Sequence, residues 1–208
     1  MRIAAVILAA GQSRRFGPDN KLLARLNGQP LLQWTLSAVL AADFDGVAAV
    51  TGDEGDRIAP LVAGTRVRLV PCLSENPGIG ASIAAGVAAM MGEADGILIL
   101  PGDMPLITPQ GLQRLATAFV SQGGTRIVYA ATHEGLQRNP VIWPRETFAA
   151  LSGLSGDMGG KSLLQAAGSS AIGVPVLDEC ELLDVDDAET LELARHVLSR
   201  RPQRVEAS

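Results

Sequence analysis

Aromatic residues, cysteine and histidine are all scarce in this chain of 208 residues. Aromatic side chains account for 3% of the chain, and there are two cysteines and two histidines. Cys72 and Cys180 are too few and too distant in sequence for a disulfide framework or a cysteine-based zinc site. His133 and His196 cannot supply a histidine-rich metal site. The composition therefore excludes disulfide-stapled scaffolds and histidine metal centres.

An excess of basic residues is also lacking. The 17 lysines and arginines are outnumbered by 22 acidic residues, which gives a net charge of −5. Because nucleic-acid binding needs a basic face that neutralises phosphates, we expect no nucleic-acid partner. No segment reaches the roughly 18 apolar residues of a membrane helix. The apolar start leads directly into polar residues 12–15, which favours a buried strand over a signal peptide. We expect a cytoplasmic protein that has no membrane partner.

Aliphatic residues dominate what is present, and hydrophobic residues make up 47% of the chain. Continuous apolar runs of this kind are typical of strands buried on both faces of a parallel sheet. They predict strands at residues 3–8, 46–50, 67–70, 96–100, 127–131 and 172–176. Apolar spacings of three and four predict helices at residues 31–42, 56–63, 79–91, 109–122, 147–152, 162–167 and 188–199.

The alternation of strands and helices predicts a three-layer α/β/α fold with a mainly parallel sheet. We expect one domain over residues 1–199, because no polar linker divides the chain. Residues 132–176 interrupt the alternation with a proline-bearing stretch and glycine-rich loops, and we interpret them as an elaboration of that domain. Residues 200–208 are expected to form a flexible tail.

The most informative segment follows the first predicted strand. After Leu8 come the small residues Ala9, Ala10 and Gly11, which allow a ligand to approach the backbone. We expect all four to bind the nucleotide, since backbone N–H groups can bind phosphate oxygens. Arg15 and Lys21 supply positive charge for a triphosphate. The spacing of the glycines fits neither a Walker A loop nor a dinucleotide fingerprint.

This segment, LAAGQSRRFGPDNKLL, resembles the signature of nucleotidyltransferases with a glycosyltransferase-A-like (nucleotide-diphospho-sugar transferase-like) fold. Within that group it is most similar to the molybdenum cofactor cytidylyltransferases, whose pattern is Leu-Ala-Ala-Gly-x-Ser-x-Arg-Met-Gly followed by Asn-Lys-Leu-Leu. Phe16 stands where methionine is usual. The resemblance implies catalytic roles for Arg15, Lys21 and Asp103, and it extends over nearly the whole chain.

Acidic residues occur at two places that a metal ion could join. Asp103 follows the predicted strand at 96–100, so it points into the same crevice as the first loop. Carboxylates and phosphate oxygens are the ligands that Mg²⁺ prefers. The second cluster contains Asp184, Asp186 and Asp187, of which Asp187 suits the cap of the last helix. The resemblance implies that Asp103 and Asp186 hold Mg²⁺, while the part of Asp184 stays open.

Three further segments gain a role from the resemblance. Gly80 and Ser82 correspond to a family segment that lies against the nucleotide base. Asn139 replaces the usual histidine of a Gly-His-Pro-Val segment, and Lys161 replaces the arginine of a Gly-Asp-x-Gly-Ala-Arg loop. Both positions are expected to face the acceptor, although surface loops without a ligand would explain them equally well.

The resemblance implies transfer of CMP from CTP to the phosphate of molybdenum-bound molybdopterin, with a molybdenum hydroxylase as client protein. The first alternative is a guanylyltransferase that uses GTP, and the next is a cytidylyltransferase acting on a sugar or methylerythritol phosphate. A non-catalytic nucleotide-binding chaperone and a dinucleotide-dependent oxidoreductase are weaker alternatives. The sequence leaves the oligomeric state and the choice between magnesium and manganese open.

Overall fold

A computed structural model describes residues 1–11 and 20–200. Within these residues a seven-stranded sheet has the order β5-β4-β1-β6-β8-β7-β9, and β2 and β3 form a small hairpin. The strands are β1 Ile3–Ala9, β2 Arg25–Leu26, β3 Gln29–Pro30, β4 Gly46–Thr51, β5 Val67–Pro71, β6 Gly96–Pro101, β7 Val128–Ala131, β8 Gln137–Pro144 and β9 Ile172–Pro175. The helices are α1 Leu31–Ala41, α2 Gly55–Val62, α3 Ile79–Met90, α4 Pro109–Ser121, α5 Phe148–Ser152, α6 Lys161–Ala167 and α7 Ala188–Arg200.

The two faces of the sheet are both covered by helices, because alternate residues of each strand point to opposite faces. On β1, Ala5 and Ile7 pack with α1, α2 and α4 in one apolar cluster. Ala4 and Val6 pack with α3, α5 and α6 in the other. The predicted three-layer α/β/α arrangement is therefore confirmed.

The sheet is mainly parallel, and β8 runs antiparallel to both of its neighbours, β6 and β7. An antiparallel strand begins where its parallel neighbour ends. The first residues of β8 therefore lie at the same sheet edge as the last residues of β1 and β6. This edge collects the ends of β1, β4 and β6 together with the start of β8.

Strand β8 was not predicted, because its two prolines argue against a strand inside a sheet. The structure accommodates Pro140 at an irregularity, since the register of β7 on β8 shifts between the pairs Tyr129–Val141 and Ala130–Arg138. The pairing of β8 with β6 begins beyond this point, at Val141. The missing N–H of Pro140 therefore costs no regular ladder bond.

A third, smaller apolar cluster lies outside the two faces of the sheet. Leu26, Leu31, Leu106, Val185 and Ala194 are all buried in it. They belong to the β2–β3 hairpin, α1, the loop after β6, residues 184–187 (the acidic segment) and α7. This cluster fixes residues 184–186 beside the loop that contains Asp103.

Candidate active site

The sheet edge formed by the ends of β1 and β6 borders a cavity of about 460 Å³. Four segments line it: the end of β1 with the residues after it, the start of α3 with the residues before it, the end of β6 with the residues after it, and the loop that contains Asp157. A second cavity of about 380 Å³ extends from the first toward the end of β4. The predicted nucleotide-binding residues Leu8, Ala9, Ala10, Gly11, Ser82 and Asp103 line one or both cavities.

Asp103 stands in the turn after β6, and two backbone hydrogen bonds fix that turn. The Gly102 N–H donates to Leu8 O over 2.9 Å, and the Val185 N–H donates to Asp103 O over 3.0 Å. The first bond ties the turn to β1, and the second ties it to the acidic segment. Asp103 is thereby held between the two segments that the sequence predicted to meet it.

Lys21 joins the two predicted metal-binding carboxylates. Its Nζ lies 2.5 Å from Asp103 Oδ2 and 2.7 Å from Asp186 Oδ1. Burial acts to lower the pKa of Lys21, but the two carboxylates outweigh it and raise that pKa above its ordinary value. Lys21 therefore carries a positive charge at neutral pH. Residues separated by more than 160 positions meet here, as the sequence predicted.

Asp184 lies behind this cluster. Burial, together with the negative charges of Asp103 and Asp186, raises the pKa of Asp184 to about 6, against the opposing effects of Lys21 and Arg138. Three carboxylates thus share one small region, and the charges of Asp103 and Asp186 both make ionisation of Asp184 more costly.

The donor atoms fit a divalent metal ion of the hard, oxygen-binding kind. Among the described residues, no group of three or more His, Cys, Asp or Glu side chains is arranged to hold a metal by itself. Mg²⁺ does not need such a cage, because one or two carboxylates with substrate phosphates and water suffice. The Oδ1 atoms of Asp103 and Asp184 are buried and have no hydrogen-bond partner in the described part of the chain. Such oxygens are suited to a cation.

Arg15, the other cationic residue predicted to bind the triphosphate, lies outside the described residues. Asn20 marks the point where the described chain resumes. Its side chain accepts a hydrogen bond of 2.9 Å from Leu22 N and caps the short turn that presents Lys21.

Comparison with known proteins identifies the family of the chain. Residues 5–171 match the MobA-like NTP transferase domain. The chain belongs to this family. It is thus a nucleotidyltransferase. The purine catabolism protein PucB of Bacillus subtilis is 31% identical to it and aligns over 95% of this chain and 98% of PucB.

Two further relatives define the range of the similarity. Rv0371c of Mycobacterium tuberculosis H37Rv is 27% identical, with a TM-score of 0.78 over 94% of this chain and 97% of that one. Rv0371c is also known in a complex with manganese. The bifunctional protein GlmU of Geobacter metallireducens is 34% identical over 61% of this chain, which spans 27% of the GlmU length.

The MobA-like transferase also resembles more distant nucleotidyltransferases in fold. The molybdopterin-guanine dinucleotide biosynthesis protein A of Archaeoglobus fulgidus gives a TM-score of 0.65 at 18% identity. The synthetase of CMP:2-keto-3-deoxy-manno-octonic acid gives 0.73 at 18% identity. At this level of identity the comparison supports the glycosyltransferase-A-like fold alone.

Ser82 and Gly80 lie differently in the first turn of α3. Ser82 lines both cavities, and its hydroxyl donates to Gly78 O over 3.0 Å. Gly80 packs against residues 155–160 (the glycine-rich loop), and its N–H donates to Gly156 O over 2.8 Å. A side chain at Gly80 would collide with the backbone of Ser155 and Met158. The predicted contact of Gly80 with a nucleotide stays a prediction, and its observed contact is with this loop.

The predicted acceptor residues Asn139 and Lys161 line a third cavity, of about 500 Å³. Asn139 comes from the start of β8, and Lys161 is the first residue of α6. Leu8, Ile79 and Pro101 border both this cavity and the first one. The two predicted binding regions are therefore adjacent, with Asp103 on one side of their common border and Asp184 on the other.

Sequence reasoning missed two residues at these cavities. Arg138 lines the third cavity beside Asn139, and Asp157 lines the first cavity beside Asp103. Recognition of β8 as a strand would have indicated Arg138, because it would have placed the start of β8 at the sheet edge. Asp157 occupies the Asp position of the Gly-Asp-x-Gly-Ala-Arg pattern, which could have indicated it, but that loop was expected to face the acceptor and not the first cavity.

Proposed function

We propose that the protein is a magnesium-dependent cytidylyltransferase that transfers CMP from CTP to the phosphate of molybdenum-bound molybdopterin. The products are molybdopterin cytosine dinucleotide and pyrophosphate. The observation that carries this proposal is the meeting of Lys21, Asp103 and Asp186 beside two adjoining cavities. In this proposal the triphosphate binds in the first cavity and the acceptor binds in the third.

The proposed reaction is an in-line displacement at the α-phosphorus of CTP. A new P–O bond forms from an oxygen of the acceptor phosphate, and the bond to the β-phosphate oxygen breaks to release pyrophosphate. The attacking phosphate is already ionised at neutral pH, so no general base is required. Catalysis then depends on alignment of the two phosphates and on neutralisation of their charge.

Each proposed residue has a defined task in this displacement. The backbone of Ala9, Ala10 and Gly11 approaches the nucleotide, and Lys21 together with Arg15 stabilises charge on the α-phosphate and the leaving pyrophosphate. Asn139 and Lys161 bind the acceptor. Asp103 and Asp186 would hold the metal ion, which when bound neutralises and orients phosphate oxygens.

Magnesium rather than manganese is part of the proposal, and the manganese complex of Rv0371c supports a divalent ion of this kind. The name of PucB refers to purine catabolism, which agrees with a client hydroxylase of the xanthine dehydrogenase type, because xanthine is a purine. The preference for CTP derives from the Leu-Ala-Ala-Gly start and from Gly102-Asp103-Met104-Pro105. None of the helices in the described part of the chain has the length and hydrophobicity of a transmembrane segment. A cytoplasmic location, which the sequence led us to expect, is part of the proposal.

The proposal is tested by release of pyrophosphate from each of the four ribonucleoside triphosphates, with Mg²⁺ and molybdenum-bound molybdopterin. We expect CTP to be the preferred donor and the dinucleotide to be the product. A preference for GTP would establish the guanylyl alternative. Turnover with a sugar or methylerythritol phosphate, and none with molybdopterin, would establish the other cytidylyl alternative.

Asp103→Asn tests the proposed metal ligand in the same assay. The substitution keeps the shape of the side chain and removes one oxygen ligand and the charge. We expect a loss of turnover of at least about 100-fold with an unchanged circular dichroism spectrum. Near wild-type turnover by this variant would remove Asp103 from the mechanism.

A further inference from the structure

Glu181 is a buried carboxylate outside the three cavities described above. It is 4% exposed and belongs to the short 3₁₀ turn Glu179–Leu182 that precedes the acidic segment. Its Oε2 accepts a hydrogen bond of 2.8 Å from Thr108 Oγ1 and a longer one of 3.3 Å from Thr108 N. Glu181 therefore joins the acidic segment to the start of α4.

The partner of Glu181 is itself well fixed. Thr108 is the N-cap of α4, and its Oγ1 accepts a hydrogen bond of 3.0 Å from Gly111 N. The carboxylate packs against Gly111, where a side chain would collide with it. The hydroxyl, the N–H and the positive end of the helix compensate the burial of the charge. Because hydrogen bonds are directional, this contact holds the turn at one place on α4.

In sequence, the two residues of the contact are equally far from the two proposed metal-binding carboxylates. Thr108 follows Asp103 by five positions, and Glu181 precedes Asp186 by five positions. Nearer to the carboxylates, the Val185 N–H donates to Asp103 O, and the side chain of Val185 is fully buried. The two segments are thus joined at two successive points, of which the Glu181–Thr108 pair is the outer one.

We propose that Glu181 and Thr108 are positioning residues that set the spacing between Asp103 and Asp186. This inference rests on the proposed function, in which those two carboxylates bind one metal ion. Neither Glu181 nor Thr108 touches the substrates. Partners that orient metal ligands typically change metal affinity by about 10- to 100-fold when they are removed. A purely structural role would lower thermal stability and leave metal affinity unchanged.

The test compares four variants of the full chain. Glu181→Leu removes the whole contact with little change in volume. Thr108→Val removes its shorter hydrogen bond and the cap bond from Gly111 N, whereas Thr108→Ser keeps the hydroxyl that makes both. Glu179→Leu is the matched control, because Glu179 lies in the same turn but its carboxylate accepts from His133 N instead of from α4. Mn²⁺ binding is measured by electron paramagnetic resonance in the presence of CTP, well below the melting temperature of each variant. The values of kcat and KM are measured with Mg²⁺.

We expect Glu181→Leu and Thr108→Val to weaken Mn²⁺ binding by about tenfold or more and to lower kcat. The KM for the acceptor should stay near the wild-type value. Thr108→Ser and Glu179→Leu should both stay within about twofold of wild type in Mn²⁺ affinity, because neither removes the Glu181–Thr108 contact. If Glu181→Leu does not fold, the comparison of Thr108→Val with Thr108→Ser decides the question.

Two failures are distinguishable. If the wild-type protein binds Mn²⁺ and transfers the nucleotidyl group, but Glu181→Leu and Thr108→Val bind Mn²⁺ as tightly as wild type, the positioning role alone is overturned. If the wild-type protein neither binds Mn²⁺ with CTP nor releases pyrophosphate, the proposed function fails and the positioning inference fails with it.

Discussion

Lys21 contacts the same two carboxylates that we propose as metal ligands. A Mg²⁺ or Mn²⁺ ion would need the carboxylate oxygens that the ammonium group of Lys21 now contacts. The ammonium and the metal therefore compete for Asp103 and Asp186. A triphosphate that draws Lys21 toward its phosphates would release the carboxylates for the metal, so nucleotide and metal are expected to bind cooperatively.

Replacement of Lys21 by methionine tests the competition between the ammonium group and the metal ion for the two carboxylates. We expect Lys21→Met to bind Mn²⁺ in the absence of nucleotide at least about fivefold more tightly than wild type. CTP should bind the variant more weakly, and the cooperativity between CTP and Mn²⁺ should decrease. Spin resonance titrations with and without CTP measure both effects. Lys161→Met is the control lysine, and equal Mn²⁺ affinities of Lys21→Met and wild type would refute the competition.

Asp184 predicts a specific dependence of stability on pH. Its pKa is raised to about 6 in the folded protein by burial and by Asp103 and Asp186, so the folded state binds the proton more tightly than the unfolded state does. The resulting stabilisation is complete below about pH 4 and is lost as the pH rises through 6.

Asp184→Asn should therefore be more stable than wild type at pH 7.5, by about 1–3 kcal/mol for a shift of this size. The difference should close as the pH falls toward 4. Urea unfolding with EDTA present measures it over that range. A stability difference that stays constant with pH would show that the charge of Asp184 is not the cause.

The residues of the site were predictable to different degrees. Lys21, Asp103 and Asp186 could be predicted because their neighbours in sequence form recognisable segments. Glu181 could not, because nothing in the sequence distinguishes it from Glu179 two positions earlier. Its importance depends on burial against α4, which only the tertiary packing creates.

At the scale of elements, the start of α3 and the glycine-rich loop support each other. The Gly80 N–H donates to Gly156 O, and the Gly156 N–H donates to Asn76 O. A methyl group at position 80 would press against backbone atoms of Ser155 and Met158, which cannot rotate away. The first turn of α3 and this loop therefore hold each other in position.

Gly80→Ala should destabilise the protein by about 1–3 kcal/mol, as overpacking typically does. Displacement of the loop should also raise the KM for the acceptor, because Gly159 and Gly160 border the third cavity. Gly92→Ala is the matched control, since a methyl group there meets no atom within 4 Å, and its effect should stay within about 0.5 kcal/mol. Equal melting temperatures of the two variants would contradict the close packing.

Among the elements, the buried strands and the longer helices were predicted to within one or two residues. Their apolar periodicity is set by the sheet on which they pack. Strand β8 escaped prediction because the local preference of Pro140 opposes it, and pairing with β6 and β7 overrides that preference. The β2–β3 hairpin, with two residues in each strand, is too short to produce a periodic signal.

At the scale of the whole molecule, the proposed ligands contact segments from both ends of the chain. CTP with Mn²⁺ at about 100 times their dissociation constant should stabilise the folded state by about 2.7 kcal/mol. For a chain of this size that is roughly 5–10 °C in melting temperature. Calorimetry should show one transition that shifts as a unit. Two transitions, of which only one shifts, would contradict the prediction of a single domain. In the Asp103→Asn variant the ligand-induced shift in melting temperature should be smaller.

The three-layer fold was predictable because strands and helices alternate clearly up to residue 131. The position of the acidic segment was not predictable from that alternation. It depends on the third apolar cluster, in which Val185 and Leu106 join parts of the chain that have no common periodicity. The expectation that Asp186 meets Asp103 came from the resemblance of the sequence to a known family and not from the pattern of strands and helices.

The order of segments along the chain has a consequence for biosynthesis. All seven strands of the main sheet have been synthesised once the ribosome has added Pro175, whereas Glu181, Asp184 and Asp186 follow later. A nascent chain can thus bury most of its sheet while it still lacks the acids that would recruit a metal ion. The sheet can therefore form before the proposed metal site is complete, and an unfinished polypeptide should not turn over nucleotide.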